Sequence, residues 1–491
     1  MVNFFKTKVD ILSEFIEKRK WIISFFLLLL IITTGLRFST LNMTVNNDID
    51  EGYYLTIGRN ITEGGLPYRE LWDNKGPLLY FIFALIIKIA GNSILGLRII
   101  TVFLITASSF FIFLISRKIL SDSSAMLAAI FFVFLTSSYQ LQALTSNSEY
   151  FFLVPVLAAV YIAIFTKVNI VKFFLAGILF GMAFNIKTIT IFDFLAVALY
   201  IFITRNNLKN LLALGFGFFL PTSFFMIFFW KEAMLADYIF IIFQHNIKWA
   251  TAGFSSTVSF PIFILLCFSL TFSVSLLAIG SVISFFKNSK EFINQNRHQI
   301  AFLFGWIILV LVGIFLIRKA YPHHFIHVIP AISILASIYT AWTIQNENRK
   351  YAKKYFIVFV IIINCILVSV NLTEQFIVWA KGDINGKIAK LIKINREDYI
   401  YSQIPAVYFL TKSNVPTKYA FPSHLLYAKY QEVFKPEFNI KNETQKIIEK
   451  KPSYLVLSSK TIPSGMDLYI KNKCILEKEI SSLFLYNCKK K

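Results

Sequence analysis

The sequence predicts an all-α polytopic membrane protein that carries a small C-terminal α/β domain. Two features of the composition indicate a membrane protein: 56% of the 491 residues are hydrophobic, and only 15% are charged. Soluble globular chains contain about 25% charged residues. A purely cytosolic protein is therefore excluded. The small numbers of Gly and Pro, 19 and 13, also exclude a collagen-like or low-complexity chain.

About eleven apolar runs are long enough, with their flanking residues, to cross a bilayer as helices. A transmembrane helix needs roughly 20 apolar residues, with about 17 as a lower limit. The predicted spans are Trp21–Leu36, Ile94–Ile115, Ala125–Ser138, Tyr150–Phe165, Phe173–Ile186, Ile189–Ile203, Leu211–Trp230, Val258–Phe286, Ile300–Ile317, Phe325–Trp342 and Tyr355–Val370.

One further apolar run, Pro77–Ala90, is short and contains Lys88. Lys and Arg accumulate in the cytoplasmic loops of membrane proteins, which also accounts for the net charge of +22. If Pro77–Ala90 does not cross the bilayer, all the basic loops fall on one side. We therefore predict an interfacial or re-entrant helix there, in a multi-pass protein of the cytoplasmic (inner) membrane with a cytoplasmic N-terminus.

This topology divides the chain into two predicted domains. Residues 1–371 form the transmembrane domain, with a first extracytoplasmic loop at about 37–93, and residues 372–491 form an extracytoplasmic soluble domain. Short β-like and helical runs alternate in the second domain, namely Asp398–Ser402, Glu443–Lys450, Ser453–Ser458 and Ser482–Tyr486. Cys474 and Cys488 flank a predicted terminal β-hairpin, so an extracytoplasmic location would allow them to form a disulfide.

Three carboxylates, Asp48, Asp50 and Glu51, lie within four residues of the first loop. Acidic residues favour the first turn of a helix, so one interpretation is a solvated helix start. The other is that one of them acts as a general base near the membrane surface and takes a proton from an acceptor hydroxyl. Downstream, Asp73 is either an interfacial partner of Lys75 or the neighbour of a lysine that binds a lipid-linked phosphate.

A basic cluster begins at the outer end of a late predicted span with Arg318 and Lys319 and continues with His323, His324 and His327. Basic residues on the outer side oppose the topological trend, and an anionic ligand is the simplest reason for them. Three histidines within five residues are also compatible with a metal site. Adjacent histidines rarely bind one ion, however, and the neighbouring sequence lacks a Cys or carboxylate to complete the ligands. We predict no metal.

The predicted spans are nearly free of ionisable residues, and the sequence contains no internal repeat. Asp193 is the clearest exception, and we predict that it is a local partner of Lys187. A transporter or flippase for lipid-linked saccharides needs charges at mid-bilayer and is therefore the less favoured reading. A carboxylate base facing cations instead fits in-line transfer of a sugar from a phosphate-linked donor, with inversion at the anomeric carbon.

Short motifs recur in the order of a known family, from about Thr44 to Ser333: Asp50-Glu51-Gly52-Tyr53, Gly65-Leu66-Pro67-Tyr68-Arg69, Trp72-Asp73-x-Lys75-x-Pro77-Leu78, Leu97-Arg98, Asn147-Ser148-Glu149, a glycine-containing run ending at Lys187, and Tyr321-Pro322-His323-His324-Phe325. This set resembles the bacterial relatives of the dolichyl-phosphate-mannose protein mannosyltransferases and the lipid A aminoarabinose transferases, within the GT-C superfamily. The family often has Lys-Pro-Pro where Gly76 follows Lys75 here, and His-Tyr where His323 and His324 stand.

The resemblance implies a membrane glycosyltransferase that uses a polyprenyl-phosphate-linked sugar at the outer face of the cytoplasmic membrane. The family's catalytic acid falls on Asp50, with Glu51 beside it. The predicted donor-phosphate residues are Lys75, Arg69, Lys187, Arg318, His323 and His324, and the predicted supporting residues are Asp73, Asp48 and Glu149.

The expected partners are the lipid-linked donor, a lipid, glycan or protein acceptor, and membrane lipids, with no nucleic acid, cofactor or metal. A non-catalytic scaffold remains an alternative, since a fold does not by itself establish an activity.

Overall fold

The computed structural model describes residues 20–44, 49–142, 144–205, 207–251, 259–286, 290–317, 321–345, 350–395, 397–428, 430–458 and 461–489. Helices dominate the chain up to residue 391. They are α1 (Lys20–Leu36), α2 (Ile49–Thr62), α3 (Pro77–Ala90), α4 (Ile94–Ser116), α5 (Asp122–Leu135), α6 (Ser148–Phe165), α7 (Ile170–Phe184), α8 (Ile191–Arg205), α9 (Leu208–Lys231), α10 (Leu235–Ile239), α11 (Asn246–Thr251), α12 (Phe260–Leu270), α13 (Phe272–Phe286), α14 (Lys290–Leu316), α15 (Ile329–Gln345), α16 (Lys350–Lys381) and α17 (Ile384–Leu391).

The predicted fold class is confirmed. Each predicted span falls on a helix or on two successive helical segments, and α3 has the predicted bounds. Six helical segments of the described chain are long and apolar enough to cross a membrane, and six shorter apolar helices accompany them. The run predicted as Val258–Phe286 differs from a single long helix, because α12 and α13 are separated at Thr271.

Glycines allow α7 and α9 to approach each other closely. A Cβ atom at Gly177 would collide with the carbonyl oxygen of Leu214, and one at Gly217 would collide with that of Phe174. Small residues at such crossings let the backbones of membrane helices come into contact. The close crossing holds α9 against α7, which leads at its C-terminal end to Lys187.

A four-stranded sheet lies in the C-terminal part of the chain, with strand order β1-β2-β4-β3. Its strands are β1 (Ile400–Ser402), β2 (Tyr454–Leu457), β3 (Ile475–Ile480) and β4 (Leu483–Asn487). β1 and β2 are parallel, whereas β4 pairs antiparallel with both β2 and β3. The accompanying helices are α18 (Pro405–Thr411), α19 (Pro422–Leu426), α20 (Tyr430–Val433), α21 (Ile440–Glu449) and α22 (Met466–Lys473). A disulfide joins Cys474 to Cys488 across the β3–β4 hairpin.

Helix α18 packs directly on α2, the helix of the first loop. Thr56 donates a hydrogen bond to the carbonyl oxygen of Pro405 at 2.9 Å, and Arg59 donates to that of Tyr408 at 2.7 Å. At Gly52, a Cβ atom would lie 2.5 Å from the backbone nitrogen of Ala406. The C-terminal part is therefore docked on the helix that carries the first-loop carboxylates. The predicted division after residue 371 falls inside α16.

We expect Gly52→Ala to destabilise this docking by about 1–3 kcal/mol, because an added methyl group in a closely packed contact forces a backbone shift. Thermal unfolding of the purified protein, together with the rate of limited proteolysis of the C-terminal part, measures the effect. The control is Gly35→Ala in α1, where the added Cβ has no atom within 4 Å. Equal unfolding midpoints for the two variants would contradict the tight contact.

Candidate active site

The neighbouring carboxylates Asp50 and Glu51 point in different directions because successive residues of an α-helix are about 100° apart. The Glu51 side chain is only 2% exposed and forms an ion pair with Arg98 of α4. Glu51 Oε1 accepts from the second Arg98 nitrogen at 2.6 Å, and the backbone amide of Ser146 donates to Glu51 Oε2 at 2.5 Å. Glu51 is thus held inside the protein, away from the opening that Asp50 faces.

Asp50 keeps an accessible carboxylate, with 27% of its side chain exposed. The Tyr54 hydroxyl, one helical turn along α2, donates a hydrogen bond to Asp50 Oδ2 at 3.0 Å. The Lys75 ammonium lies 3.8 Å from the same oxygen, and 15% of the Lys75 side chain is exposed. This separation is at the long end for an ion pair, and both side chains remain partly exposed.

Lys75 is positioned by a network around its own backbone. Its amide donates to the Tyr80 oxygen at 3.2 Å, and the Tyr80 hydroxyl donates to Asp73 at 2.7 Å. The Tyr68 hydroxyl donates to the Lys75 carbonyl oxygen at 2.6 Å. Asp73 therefore orients Lys75 through Tyr80 and the main chain. The Lys75 ammonium itself donates to the Asn74 side chain at 2.9 Å.

Gly76 brings this loop against the end of α7. Its amide donates to the carbonyl oxygen of Ile186 at 3.1 Å, and a Cβ atom at Gly76 would collide with the carbonyl of Asn185. A proline at this position would lack the amide hydrogen that makes the contact. Gly76, which replaces the first proline of Lys-Pro-Pro, thus makes a backbone contact that places Lys75 beside the segment leading to Lys187.

Lys187 and Glu149 form a buried pair next to Asp50 and Lys75. The Lys187 ammonium lies 2.5 Å from Glu149 Oε1. His323 extends the cluster from the other side, where its Nδ1 lies 2.6 Å from the side-chain oxygen of Gln142. The cluster therefore brings together groups from α2, α6, the Lys75 loop, the end of α7 and the histidine segment. The histidine segment is the 3₁₀ helix Pro322–Val328.

These charges shift the pKa values of the groups outside the spans. Burial alone would raise the pKa of Asp50, but Lys75, His323, Lys187 and the Tyr54 hydroxyl together hold it below its usual value. Burial opposes the charge of Lys75, yet Asp50 and Asp73 raise the pKa of the Lys75 ammonium. Burial raises the pKa of Asp73. Asp50 is consequently ionised and Lys75 positively charged at neutral pH.

One group of side chains in the cluster has the composition of a metal site. Ligand atoms of Glu149, His323 and His324 lie within 4.8 Å of one another. Glu149 is the carboxylate that the local sequence around the histidines lacks, since it comes from α6. A cation there would compete with the Lys187 ammonium for the Glu149 carboxylate.

One predicted residue, Arg69, lies outside this cluster. Arg69 pairs on the surface with Glu70 at 2.7 Å and approaches Glu232 at 3.6 Å. Asp48 and Arg318 lie outside the described residues. His324 is buried against Tyr321 and His323, with ring centroids 5.4 and 4.7 Å away.

The prediction that Asp193 is the partner of Lys187 is wrong. Asp193 binds His327 and Trp306 instead, because α8 turns it away from Lys187 towards α14 and the histidine segment. Tyr54, Tyr80 and Gln142 were not predicted as site residues. The one available signal was the i, i+4 spacing of Asp50 and Tyr54, which places both on one face of a helix.

A family model described as dolichyl-phosphate-mannose-protein mannosyltransferase matches residues 74–230. These residues include Lys75, Glu149 and Lys187. The resemblance drawn from the motifs is confirmed over this part of the chain. No curated protein matches the sequence.

Solved structures extend the similarity to nearly the whole chain. ArnT from Cupriavidus metallidurans, in a crystal structure bound to undecaprenyl phosphate, superposes with a TM-score of 0.64 at 14% identity, over 95% of this chain and 98% of that one. Its apo structure gives the same TM-score and identity over 96% and 98%. The chain therefore has the fold of ArnT.

A second GT-C protein matches less closely. The archaeal oligosaccharyltransferase AglB from Archaeoglobus fulgidus, in complex with an inhibitory peptide and a dolichol-phosphate, superposes with a TM-score of 0.51 at 13% identity, over 89% of this chain and 69% of that one. At such identities the comparison concerns the fold alone.

Neutralising Glu51 and neutralising Asp50 should have different effects on the stability of the protein. We expect Glu51→Gln to lower the stability by about 3–5 kcal/mol, because it leaves the Arg98 charge buried without its counter-ion. Asp50→Asn should leave the thermal unfolding midpoint almost unchanged, since that side chain is partly exposed. Thermal unfolding in detergent measures both, and a larger loss of stability for Asp50→Asn would contradict these assignments.

Proposed function

We propose that the protein is an inverting membrane glycosyltransferase that moves a sugar from a polyprenyl-phosphate-linked donor to an acceptor hydroxyl. The observation that carries this proposal is the open arrangement of Asp50 opposite Lys75, with Lys187 and His323 in the same electrostatic surroundings. An ionised carboxylate and a charged lysine that both reach an opening can act on the two ends of one displacement.

The reaction follows from these two charges. Asp50 accepts the proton of the acceptor hydroxyl while the hydroxyl oxygen attacks the anomeric carbon. The bond from that carbon to the phosphate oxygen breaks, and its electron pair remains on the phosphate. Lys75 stabilises this developing charge, so the leaving group needs no proton. The products are the glycosylated acceptor and the polyprenyl phosphate, and attack opposite the leaving group inverts the anomeric carbon.

The surrounding groups have supporting roles in this proposal. Lys187 adds positive potential on the phosphate side, and Glu149 holds the Lys187 ammonium. Burial lowers the pKa of His323, so its ring lies in the site as a neutral group. Asp73 orients Lys75 through Tyr80. Glu51 fixes the start of α2 and takes no part in proton transfer. We retain His324, Arg69 and Arg318 as candidate phosphate contacts and Asp48 as a supporting residue.

The bound lipid of the structural neighbour supports a polyprenyl donor, because ArnT was crystallised with undecaprenyl phosphate. The distribution of basic loops supports an outward-facing site on the cytoplasmic membrane with a cytoplasmic N-terminus. The acceptor is a lipid, glycan or protein hydroxyl that reaches this face. The rival proposals, a flippase or a scaffold, require no base at Asp50.

Asp50→Asn should abolish transfer by removing the base, with a loss of about 10²–10⁴-fold, whereas binding of undecaprenyl phosphate should persist. Lys75→Ala should weaken that binding by about tenfold or more. Mass spectrometry of membrane lipids and surface glycans, in cells lacking the native protein and expressing each variant, measures transfer. Lipid binding is measured on purified protein.

Asp122→Asn is the matched control, since Asp122 also lies in the first turn of a helix and pairs with a cation, Arg117, at 2.6 Å. Undiminished product formation by Asp50→Asn would exclude the proposed base. Failure of the wild-type protein to bind undecaprenyl phosphate would exclude a donor of this class.

Tyr54→Phe tests the protonation of the base. Removing the hydrogen bond to Asp50 raises the Asp50 pKa, so the acidic limb of the rate profile should move to higher pH by on the order of one unit. Initial rates in isolated membranes from about pH 4 to pH 7 measure the shift. A shift to lower pH, or none, would show that Asp50 ionisation does not govern the rate.

A further inference from the structure

A second polar cluster, formed by Asp193, Trp306 and His327, has no part in the reaction described above. Asp193 of α8 accepts a hydrogen bond from the Trp306 indole at 2.6 Å, and its other oxygen lies 2.7 Å from His327 Nε2. All three side chains are at most 2% exposed. The cluster therefore connects three separate segments, namely α8, α14 and the histidine segment, in the protein interior.

The partners of His327 indicate which nitrogen carries its proton. The Nδ1 atom is buried and makes no hydrogen bond within the described residues, and the ring packs on Phe152 at 4.8 Å. If the ring is neutral with its proton on Nε2, the unpaired Nδ1 is only an acceptor. If the ring is protonated, Nδ1 becomes a buried donor without a partner, and the ring carries a charge. The arrangement therefore favours donation from Nε2 to the Asp193 carboxylate.

Two of the connected segments also carry side chains of the site, Lys187 and His323. Lys187 lies six residues before Asp193, and the 3₁₀ turn Thr188–Thr190 runs directly into α8 between them. Within that turn, the Thr190 amide and hydroxyl donate to the Lys187 carbonyl oxygen at 3.2 and 3.1 Å. A short, hydrogen-bonded turn therefore connects Lys187 to the start of the helix that carries Asp193.

The histidine segment also connects a residue of the site to the buried cluster. His323 lies four residues before His327 in the 3₁₀ helix Pro322–Val328, which continues into α15. Apolar contact would allow these two short helices to slide relative to each other. A hydrogen bond restricts both its length and its direction, so the Asp193–His327 contact limits such sliding.

We propose that Asp193 is a positioning residue: through its contact with His327 it sets the distance between Lys187 and His323, and so shapes the phosphate site. This inference rests on the proposed function, because it assigns both side chains to the donor phosphate, Lys187 as a cation and His323 as a neutral ring. Asp193 itself touches no substrate. Its substitution acts by changing where these two side chains lie, and the residue therefore determines affinity for the phosphate of the donor lipid.

The test measures binding of undecaprenyl phosphate to the purified full-length protein. Asp193→Ala should weaken binding by about tenfold. Asp193→Asn keeps one of the two acceptor oxygens, which can accept from His327 while the contact with Trp306 is lost, so it should bind more tightly than Asp193→Ala. His327→Phe keeps the ring but loses the hydrogen bond, so it should resemble Asp193→Ala. The Asp193→Ala, His327→Phe double variant should bind no more than about twofold more weakly than either alone.

A second cycle separates positioning from a general loss of structure. In a Lys187→Met background, where one of the two positioned groups is absent, Asp193→Ala should change binding by less than about twofold. A purely structural role would weaken binding by the same factor in both backgrounds, and that result would overturn the inference. Ser281→Ala is the control, because it removes another buried contact, from Ser281 to the Leu335 carbonyl, at 2.5 Å.

The possible outcomes distinguish this inference from the proposed function. If the wild-type protein does not bind undecaprenyl phosphate, the donor class is wrong. If wild type binds and Asp193→Ala binds equally well, the donor class survives and the positioning role is wrong. Should Asp193→Ala fail to fold, His327→Phe and Asp193→Asn decide: loss with the former and retention with the latter support the inference, and equal binding by both opposes it.

Discussion

The buried ion pair between Glu51 and Arg98 is the interaction on which the site depends. It joins the first turn of α2 to α4, and the Ser146 amide completes the coordination of the Glu51 carboxylate. A charge inside the protein is tolerated only with such partners. By fixing Glu51, the pair also fixes the direction of the preceding residue, so that Asp50 faces Lys75 across an open space.

The other buried charges of the site also have partners. Glu149 and Lys187 are paired and buried, and Asp193 is fully enclosed by hydrogen-bond donors. Within the described cluster, Asp50 and Lys75 combine partial exposure with a long contact. In the proposed function, the reactive groups are therefore Asp50 and Lys75, whose charges are only partly satisfied. The buried ion pairs hold these two side chains in place.

Apolar length and order along the chain were sufficient to predict the helices, the C-terminal sheet region and the position of the first-loop carboxylates. Sequence could not show which of Asp50 and Glu51 faces the opening, because the answer depends on Arg98, 47 residues away. It also paired Lys187 with Asp193 on proximity alone, whereas the fold supplies Glu149, 38 residues upstream. Partners that meet only through tertiary packing have no local sequence signal.

The contact between Gly52 and Ala406 has a consequence for recombination between homologues. Because the backbones of α2 and α18 meet without room for a side chain, each surface is shaped by the other. A chimera that receives a foreign C-terminal part while keeping its own first loop would join two surfaces that have not been matched. Exchange of both segments together would preserve that match, so the first loop and the distant C-terminal part form one transferable module.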